Sequence, residues 1–200
     1  MRFGAPETTR VGLFGGTFDP PHVGHLLAAT DALEQLGLDQ VIWIPAARQP
    51  LKDGQEITAP HHRIAMVRAA IAGIPAFSID TLEVERGGLS YTVDTLRTLH
   101  ERWRGSAPLA LFLLLGTDAA STLPKWREPG EIARLCEVVV LTRGEEPVTA
   151  AWPGRIQKLV TRRVEVSSTE IRARMRAGLS IGVFVPEAVA AYMETAGLYR

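Results

Sequence analysis

Two histidines and a run of glycines carry the first chemistry this chain offers. Residues 15–25 read Gly-Gly-Thr-Phe-Asp-Pro-Pro-His-Val-Gly-His. Gly15 and Gly16 admit positive φ and leave no Cβ in the path of a ligand. His22 and His25 stand three residues apart and share one face of a first helical turn. Pro20 and Pro21 stiffen the entry to that turn, where a missing N–H costs little. A helix N-terminus presents unpaired N–H groups and a partial positive charge, both suited to phosphate. Two imidazoles with Gly24 between them, placed at such an end, make a cradle for a triphosphate. The spacing differs from the dinucleotide fingerprint G-x-G-x-x-G, and no Gly-Lys-Ser/Thr follows to make a P-loop.

A second set of phosphate-binding groups lies far along the chain. Residues 166–174 read Val-Ser-Ser-Thr-Glu-Ile-Arg-Ala-Arg. Ser167, Ser168 and Thr169 offer hydroxyls and N–H groups at a helix start. Arg172 and Arg176 share a face, and Arg174 points elsewhere. Alone, this is equally an ordinary capped helix with solvated arginines. Opposite the histidine loop it becomes a second phosphate jaw.

The elements that must position these groups follow from hydrophobic patterning. Residues 11–14 read as a first strand, so the glycine–histidine stretch is a strand–loop–helix crossing. A helix over 23–36 carries Leu26, Leu27, Leu33 and Leu36 as its apolar stripe. A strand over 41–44 is closed by Pro45, and 46–59 is a turn-rich loop. Pro60 opens a helix to Ala72 with Ile64, Val67 and Ile71 on one face. Residues 77–85 are expected to be extended, with Glu83, Glu85 and Arg86 as a charged strand face. Gly87-Gly88 turns the chain, and Ser90 caps a helix to about Arg102. Residues 109–115 are the most apolar run and predict a central strand buried on both faces. Further strands are expected at 138–141 and 163–166. Ser168 or Thr169 caps a helix to about Ala177, and a last helix runs from Pro186 to about Gly197.

Strands alternating with helices predict an α/β fold, a doubly wound parallel sheet with helices on both faces and a small C-terminal helical part. Residues 1–10 read as a flexible tail and 11–200 as a single domain. Ligands in such folds sit beyond the carboxyl ends of the strands. That rule gathers residues 15–25, 45–52, 116–118 and 142–143 along one rim.

Composition narrows the function classes. The 200 residues carry 22 basic and 22 acidic side chains, so formal net charge is zero. That balance argues against broad non-specific nucleic-acid binding. Cys136 is the single cysteine, which rules out an internal disulfide and a cysteine-built zinc site; its place before a buried strand makes it structural. His61 and His62, at a helix start, read as surface or capping residues, with Arg63 facing the loop. No apolar run approaches membrane-spanning length, and residues 1–10 lack the apolar centre of a signal peptide. The expectation is a cytoplasmic protein. Oligomeric state is not legible.

The glycine–histidine stretch resembles the signature of the nucleotidyltransferase superfamily, which moves a nucleotidyl group from a nucleoside triphosphate. The superfamily's Ile-Ser-Ser-Thr-x-Ile-Arg motif is matched at 166–172, with Val166 for the isoleucine. Three further stretches, Ser90-Tyr-Thr-Val-Asp-Thr-Leu96, Gly116-Thr-Asp118 and Leu123-Pro-Lys-Trp126, are similar to those of bacterial nicotinate-nucleotide adenylyltransferases. The resemblance runs from about Val11 to Tyr199. It implies a Rossmann-like enzyme of NAD biosynthesis that joins nicotinate mononucleotide to the AMP part of ATP, giving deamido-NAD and pyrophosphate. It implies Mg²⁺, held mainly by the ATP phosphates with few or no protein ligands.

Carried onto this chain, the resemblance assigns His22 and His25 to catalysis. ATP would be held by Gly15, Gly16, Thr17, Phe18, Gly24, Gly116, Asp118 (through its ribose), Arg143 (near adenine), Ser168, Thr169 and Arg172. Thr92, Val93, Trp126 and Arg127 would hold nicotinate mononucleotide. In the loop after the second strand the family often has Pro-Pro-His-Lys, where this chain has Gln49-Pro50-Leu51-Lys52. Leu51 cannot donate a hydrogen bond, and Lys52 supplies charge to the triphosphate. Two alternatives remain from the residues themselves. One is a related nucleotidyltransferase with nicotinamide mononucleotide or phosphopantetheine as acceptor. The other is a non-catalytic ATP-binding sensor.

Overall fold

The computed structural model describes residues 8–50, 57–105, 107–144 and 151–200. Among these, β1 (Thr9–Gly16), β2 (Gln40–Pro45), β3 (Phe77–Ile79), β4 (Leu109–Gly116), β5 (Glu137–Thr142) and β6 (Ile156–Val160) form one sheet. The strand order is β3-β2-β1-β4-β5-β6 and all pairings are parallel. The chain winds outward from β1 in one direction and then, from β4, in the other. The order therefore reverses between β1 and β4, and their carboxyl ends border a crevice.

Side-chain alternation explains the layers. Leu111, Leu113 and Leu115 of β4 join one apolar cluster, whereas Phe112 and Leu114 join the other. Val138 and Val140 of β5 likewise oppose Val139 and Leu141. Two helices, α1 (Val23–Gln35) and α2 (Pro60–Ile71), cover the first face with α7 (Ser168–Arg176) and α8 (Glu187–Thr195). The second face is covered by α3 (Leu82–Arg86), α4 (Thr92–Arg102), α5 (Thr117–Ala120) and α6 (Pro129–Leu135). The segment after α1 packs so close on β1 that a Cβ on Gly12 would stand 2.8 Å from Leu38 Cδ1.

The structure corrects several sequence expectations. Only Phe77–Ile79 of the 77–85 stretch is strand; Asp80 Oδ1 accepts the Leu82 N–H at 2.9 Å and starts α3. Ser90 does not cap α4: its Oγ accepts the Ala47 N–H at 2.9 Å instead, and Tyr91 is the capping position. The cap of α7 is Ser167, whose Oγ accepts the Glu170 N–H at 3.1 Å. Residues 163–166 are outside the sheet; the sixth strand is Ile156–Val160. Asp31 pins the segment after that strand, accepting the Arg162 N–H at 2.7 Å. On α1 the buried positions are Ala29, Asp31 and Ala32; of the expected stripe Leu36 is buried just past the helix, and Leu26, Leu27 and Leu33 are half-buried. On α2, Arg63, Met66, Val67, Ala70 and Ile71 are buried, and Ile64 is only half-buried.

Candidate active site

A cavity of about 660 Å³ runs along the carboxyl ends of the central strands. It gathers most of the predicted residues. Gly15, Gly16, Thr17, Phe18, His22, Gly24 and His25 line one part of it, with Ser168, Thr169 and Arg172. Gly116, Asp118, Arg143, Thr92, Trp126 and Arg127 line the rest. Lys52 and Leu51 lie outside the described residues. Val93 is the exception: its side chain is fully buried in the core, so only its main chain is available.

The histidine pair is built by the start of α1. His22 occupies the N-cap, and its backbone N–H donates to His25 Nδ1 at 3.2 Å. With Nδ1 accepting, the neutral His25 ring carries its proton on Nε2 and is a donor there. The two rings stack with centroids 3.7 Å apart. Beneath them lies an aromatic cluster. Phe18 meets His25 at 5.3 Å and Trp43 at 5.1 Å, and Phe14 meets Trp43 at 5.0 Å. Such pairs contribute about 0.5–1.5 kcal/mol each beyond burial and hold a preferred geometry. Phe18 takes φ +51°, a left-handed conformation that turns its ring back under Gly16.

His22 is only 5 % exposed. Burial, aided by the positive charge of Arg143, pulls its pKa down from 6.5 to about 4. It is therefore a neutral imidazole at physiological pH. Its Nδ1 and the Thr17 Oγ1 are buried without a protein partner. Both residues line the cavity, where an anionic oxygen would satisfy them.

A buried polar hub, not anticipated from the sequence, fixes the loop around Asp19. Arg63, 1 % exposed, donates to Thr58 O and Thr17 O at 2.9 Å each, and to Ala47 O at 3.4 Å. Asp19 Oδ2 accepts the Thr58 N–H at 3.1 Å, and its Oδ1 accepts the Tyr199 hydroxyl. His62 Nδ1 is 2.8 Å from the Tyr192 hydroxyl, so it joins α2 to α8, whereas His61 is exposed as expected. Spacing within the sequence carries no signal for this hub, because its members come from four separate segments.

The second jaw already touches the first. Ser168 Oγ donates to Pro20 O at 2.8 Å, and Arg172 Nη1 donates to Asp19 O at 2.8 Å. Arg172 Nη2 also reaches Thr169 Oγ1 at 3.3 Å. Arg176, the expected partner of Arg172, is exposed and away from the cavity. Arg174 points to the C-terminal segment, donating to Ser180 O at 3.0 Å and lying 4.7 Å over the Phe184 ring.

The remaining part of the cavity is more apolar. Trp126 is half-buried, and its Nε1 donates to Thr122 Oγ1 at 2.9 Å, which fixes the indole plane. Arg127 lies 5.0 Å over the Tyr91 ring and 3.6 Å from Asp94. Glu83 also lines this end, 8 % exposed and bonded to the Thr95 hydroxyl at 2.6 Å. The sequence reading placed it on a charged strand face; the helical turn of α3 directs it inward instead. Cys136 is buried, and burial pushes its thiol up to about 12, in keeping with a structural residue. Among the described residues no three His, Cys, Asp or Glu are grouped to hold a metal ion. No helix among them is long and apolar enough to cross a membrane.

A parallel sheet with a phosphate cradle at its switch point and a second jaw across it defines a nucleotide-binding α/β protein. The chain belongs to the cytidylyltransferase-like family, whose model matches residues 13–174. It is 49 % identical over 199 residues to a probable nicotinate-nucleotide adenylyltransferase of Gemmatimonas aurantiaca, covering 96 % of this chain and 92 % of that one. A protein of the same name from Salinibacter ruber is 44 % identical, covering 95 % and 97 %. Among solved structures, Plasmodium falciparum nicotinic acid mononucleotide adenylyltransferase complexed with APC superposes with TM-score 0.74. The overlap spans 96 % of this chain and 97 % of that one at 18 % identity, a likeness of fold.

Proposed function

We propose that this protein is a nicotinate-nucleotide adenylyltransferase acting in NAD biosynthesis. A phosphate oxygen of nicotinate mononucleotide attacks the α-phosphorus of ATP. The bond from that phosphorus to the bridging oxygen of pyrophosphate breaks, and deamido-NAD and pyrophosphate result. The observation that carries this reading is one continuous cavity. It joins a two-jawed phosphate cradle to a pocket walled by an indole and a helix N-terminus.

The attacking phosphate is an anion at neutral pH, so the reaction needs no strong base. His22, held neutral with a pKa near 4, is a poor base and a good donor. His22 and His25 stabilise charge that develops on the phosphates during an in-line displacement. Gly15, Gly16, Thr17, Phe18 and Gly24 bring backbone close to ATP. Asp118 accepts ribose hydroxyls, and Arg143 lies toward adenine. Ser168, Thr169 and Arg172 close on the phosphates from α7. Lys52 adds charge from the loop after β2. Mg²⁺ fits this site as a passenger on the phosphate oxygens, because the donor set is imidazole, hydroxyl and backbone N–H rather than clustered carboxylates. When bound it would neutralise charge on the phosphates.

At the other end Trp126 stacks on the pyridine ring. The main-chain N–H groups of Thr92, Val93 and Arg127 face its substituent. Such N–H groups and a helix dipole favour a carboxylate over a carboxamide. A mispaired buried donor costs roughly 1–3 kcal/mol, or about 5- to 150-fold in specificity. We further read residues 11–200 as one catalytic domain working in the cytoplasm, with ATP and nicotinate mononucleotide as its ligands and neither nucleic acid nor membrane as a partner.

Pyrophosphate release from ATP, compared for nicotinate and nicotinamide mononucleotides, tests the proposal. A clear preference in kcat/KM for the nicotinate form is expected. Comparable efficiency on both would overturn the acceptor assignment, and no release with either would favour a different acceptor or a sensor.

A further inference from the structure

Glu83 is a buried carboxylate to which the chemistry above gives no role. It lines the cavity at the acceptor end, with Thr92 and Trp126. Its Oε1 accepts the Thr95 hydroxyl at 2.6 Å, and Arg86 Nη2 donates to the same Thr95 oxygen at 3.2 Å. Thr95 sits on α4 three residues beyond Thr92, in the turn that faces the pyridine site. Burial raises the Glu83 pKa, opposed in part by the hydroxyls of Thr95 and Ser90 and by the charge of Arg86. Next to α4, Ser90 Oγ accepts the Ala47 N–H at 2.9 Å, and the Ser90 N–H donates to Arg48 O at 2.9 Å. Ala47 O accepts Arg63 Nη2 at 3.4 Å, and Arg63 Nη1 holds Thr17 O at 2.9 Å. The start of α4 is thus held twice, by Glu83 of α3 through Thr95 and by the residues after β2 through Ser90.

Packing alone does not account for this residue. A carboxylate removed from water is costly, and an apolar side chain of similar size serves a purely structural position as well or better. What Glu83 provides, and an apolar residue cannot, is two directed acceptor atoms. One of them holds α4 through Thr95.

We propose that Glu83 is a positioning residue for the acceptor nucleotide: it fixes the first turn of α4, and so the Thr92 and Val93 N–H groups, relative to α3. The inference rests on the acceptor reading given above and adds to it a residue that does not touch the reacting atoms.

The test uses the purified protein with ATP and nicotinate mononucleotide. Glu83→Gln keeps the shape but replaces one acceptor with a donor. It should raise KM for nicotinate mononucleotide on the order of 10-fold, the loss expected for one hydrogen bond to a charged group. KM for ATP and Tm should hold. Thr95→Val should reproduce the effect, and Thr95→Ser, which keeps the hydroxyl, should restore the parent value. The double variant Glu83→Gln/Thr95→Val should be no worse than Thr95→Val alone, because both act on the same link. If Glu83→Gln changes the two KM values equally, or lowers only Tm, Glu83 is a packing residue and the inference falls. A parent enzyme that accepts a different nucleotide would overturn the acceptor reading and this inference together, whereas an active parent with unsplit KM values overturns this inference alone.

Discussion

Gly24→Ala separates the position of the histidine pair from its mere presence. Gly24 is the second residue of α1, between the two imidazoles. A Cβ there would stand 3.1 Å from His22 Cε1 and Nδ1, and 3.1 Å from Val166 Cγ1. Ordinary van der Waals contact begins at 3.4 Å, so the neighbours must give by a few tenths of an ångström. Neither yields freely. His22 is stacked on His25 at 3.7 Å, and Val166 is 4 % exposed in the core. Overpacking of this kind costs about 1–3 kcal/mol. The better helix propensity of alanine returns up to about 1 kcal/mol. The net loss of roughly 0–2 kcal/mol leaves a chain of this size folded, with Tm lowered by at most about 8 °C. Turnover responds more steeply, because displacing a catalytic group by an ångström costs about 10²-fold. The expected result is a fall in kcat of about 10- to 100-fold, with KM for nicotinate mononucleotide unchanged. Pyrophosphate release and a thermal melt on the same preparation read both quantities. A Gly24→Ala protein that turns over at the parent rate would refute the claim that imidazole placement carries the catalysis.

Two further outcomes follow from side chains already placed. His22 has its pKa lowered from 6.5 to about 4, so the unfolded chain binds a proton that the native protein excludes. Stability from this source is complete above pH 6.5 and is lost as pH falls toward about 4, by roughly 3 kcal/mol across that window. Urea melts of the parent and of His22→Gln between pH 7 and about 4.5 should diverge by this slope; parallel curves would contradict it. Arg172→Ala should raise KM for ATP on the order of 10-fold, whereas Arg174→Ala, which loses contacts to Ser180 and Phe184, should lower Tm and leave that KM alone. Equal effects of the two on KM would contradict the assignment of their faces.

Local signals made much of this molecule legible. The apolar run at 109–115 became the strand beside the switch point, because both faces of a parallel sheet are covered and the run needs no alternation. The glycine–histidine loop was readable because its members are adjacent in sequence. What failed was long-range. Ile156–Val160 is an edge strand with Gln157 and Lys158 half-buried in its middle, so it lacks the apolar signature of β4. Ser90 was read as a cap from its local sequence, yet its hydroxyl serves Ala47, 43 residues away. Glu83 and Arg63 carry charge, which in sequence reads as surface. Both are buried, because carbonyls and hydroxyls from distant segments converge on them.

The same convergence bears on how the site meets its nucleotide. α7 is tied to the histidine loop through Pro20 O and Asp19 O. The loop itself is held from behind by Arg63, Thr58 and Tyr199. The jaw therefore has no long path to travel. Arg172 has only to exchange a neutral carbonyl for a phosphate oxygen, and a charge-assisted bond of that kind is about twice as strong as one to a neutral acceptor. That difference favours the exchange without any movement of the α7 backbone. The imidazoles of the cradle are stacked on each other and backed by aromatic rings. Binding energy that would otherwise order the loops remains for orienting the α-phosphorus against the incoming phosphate.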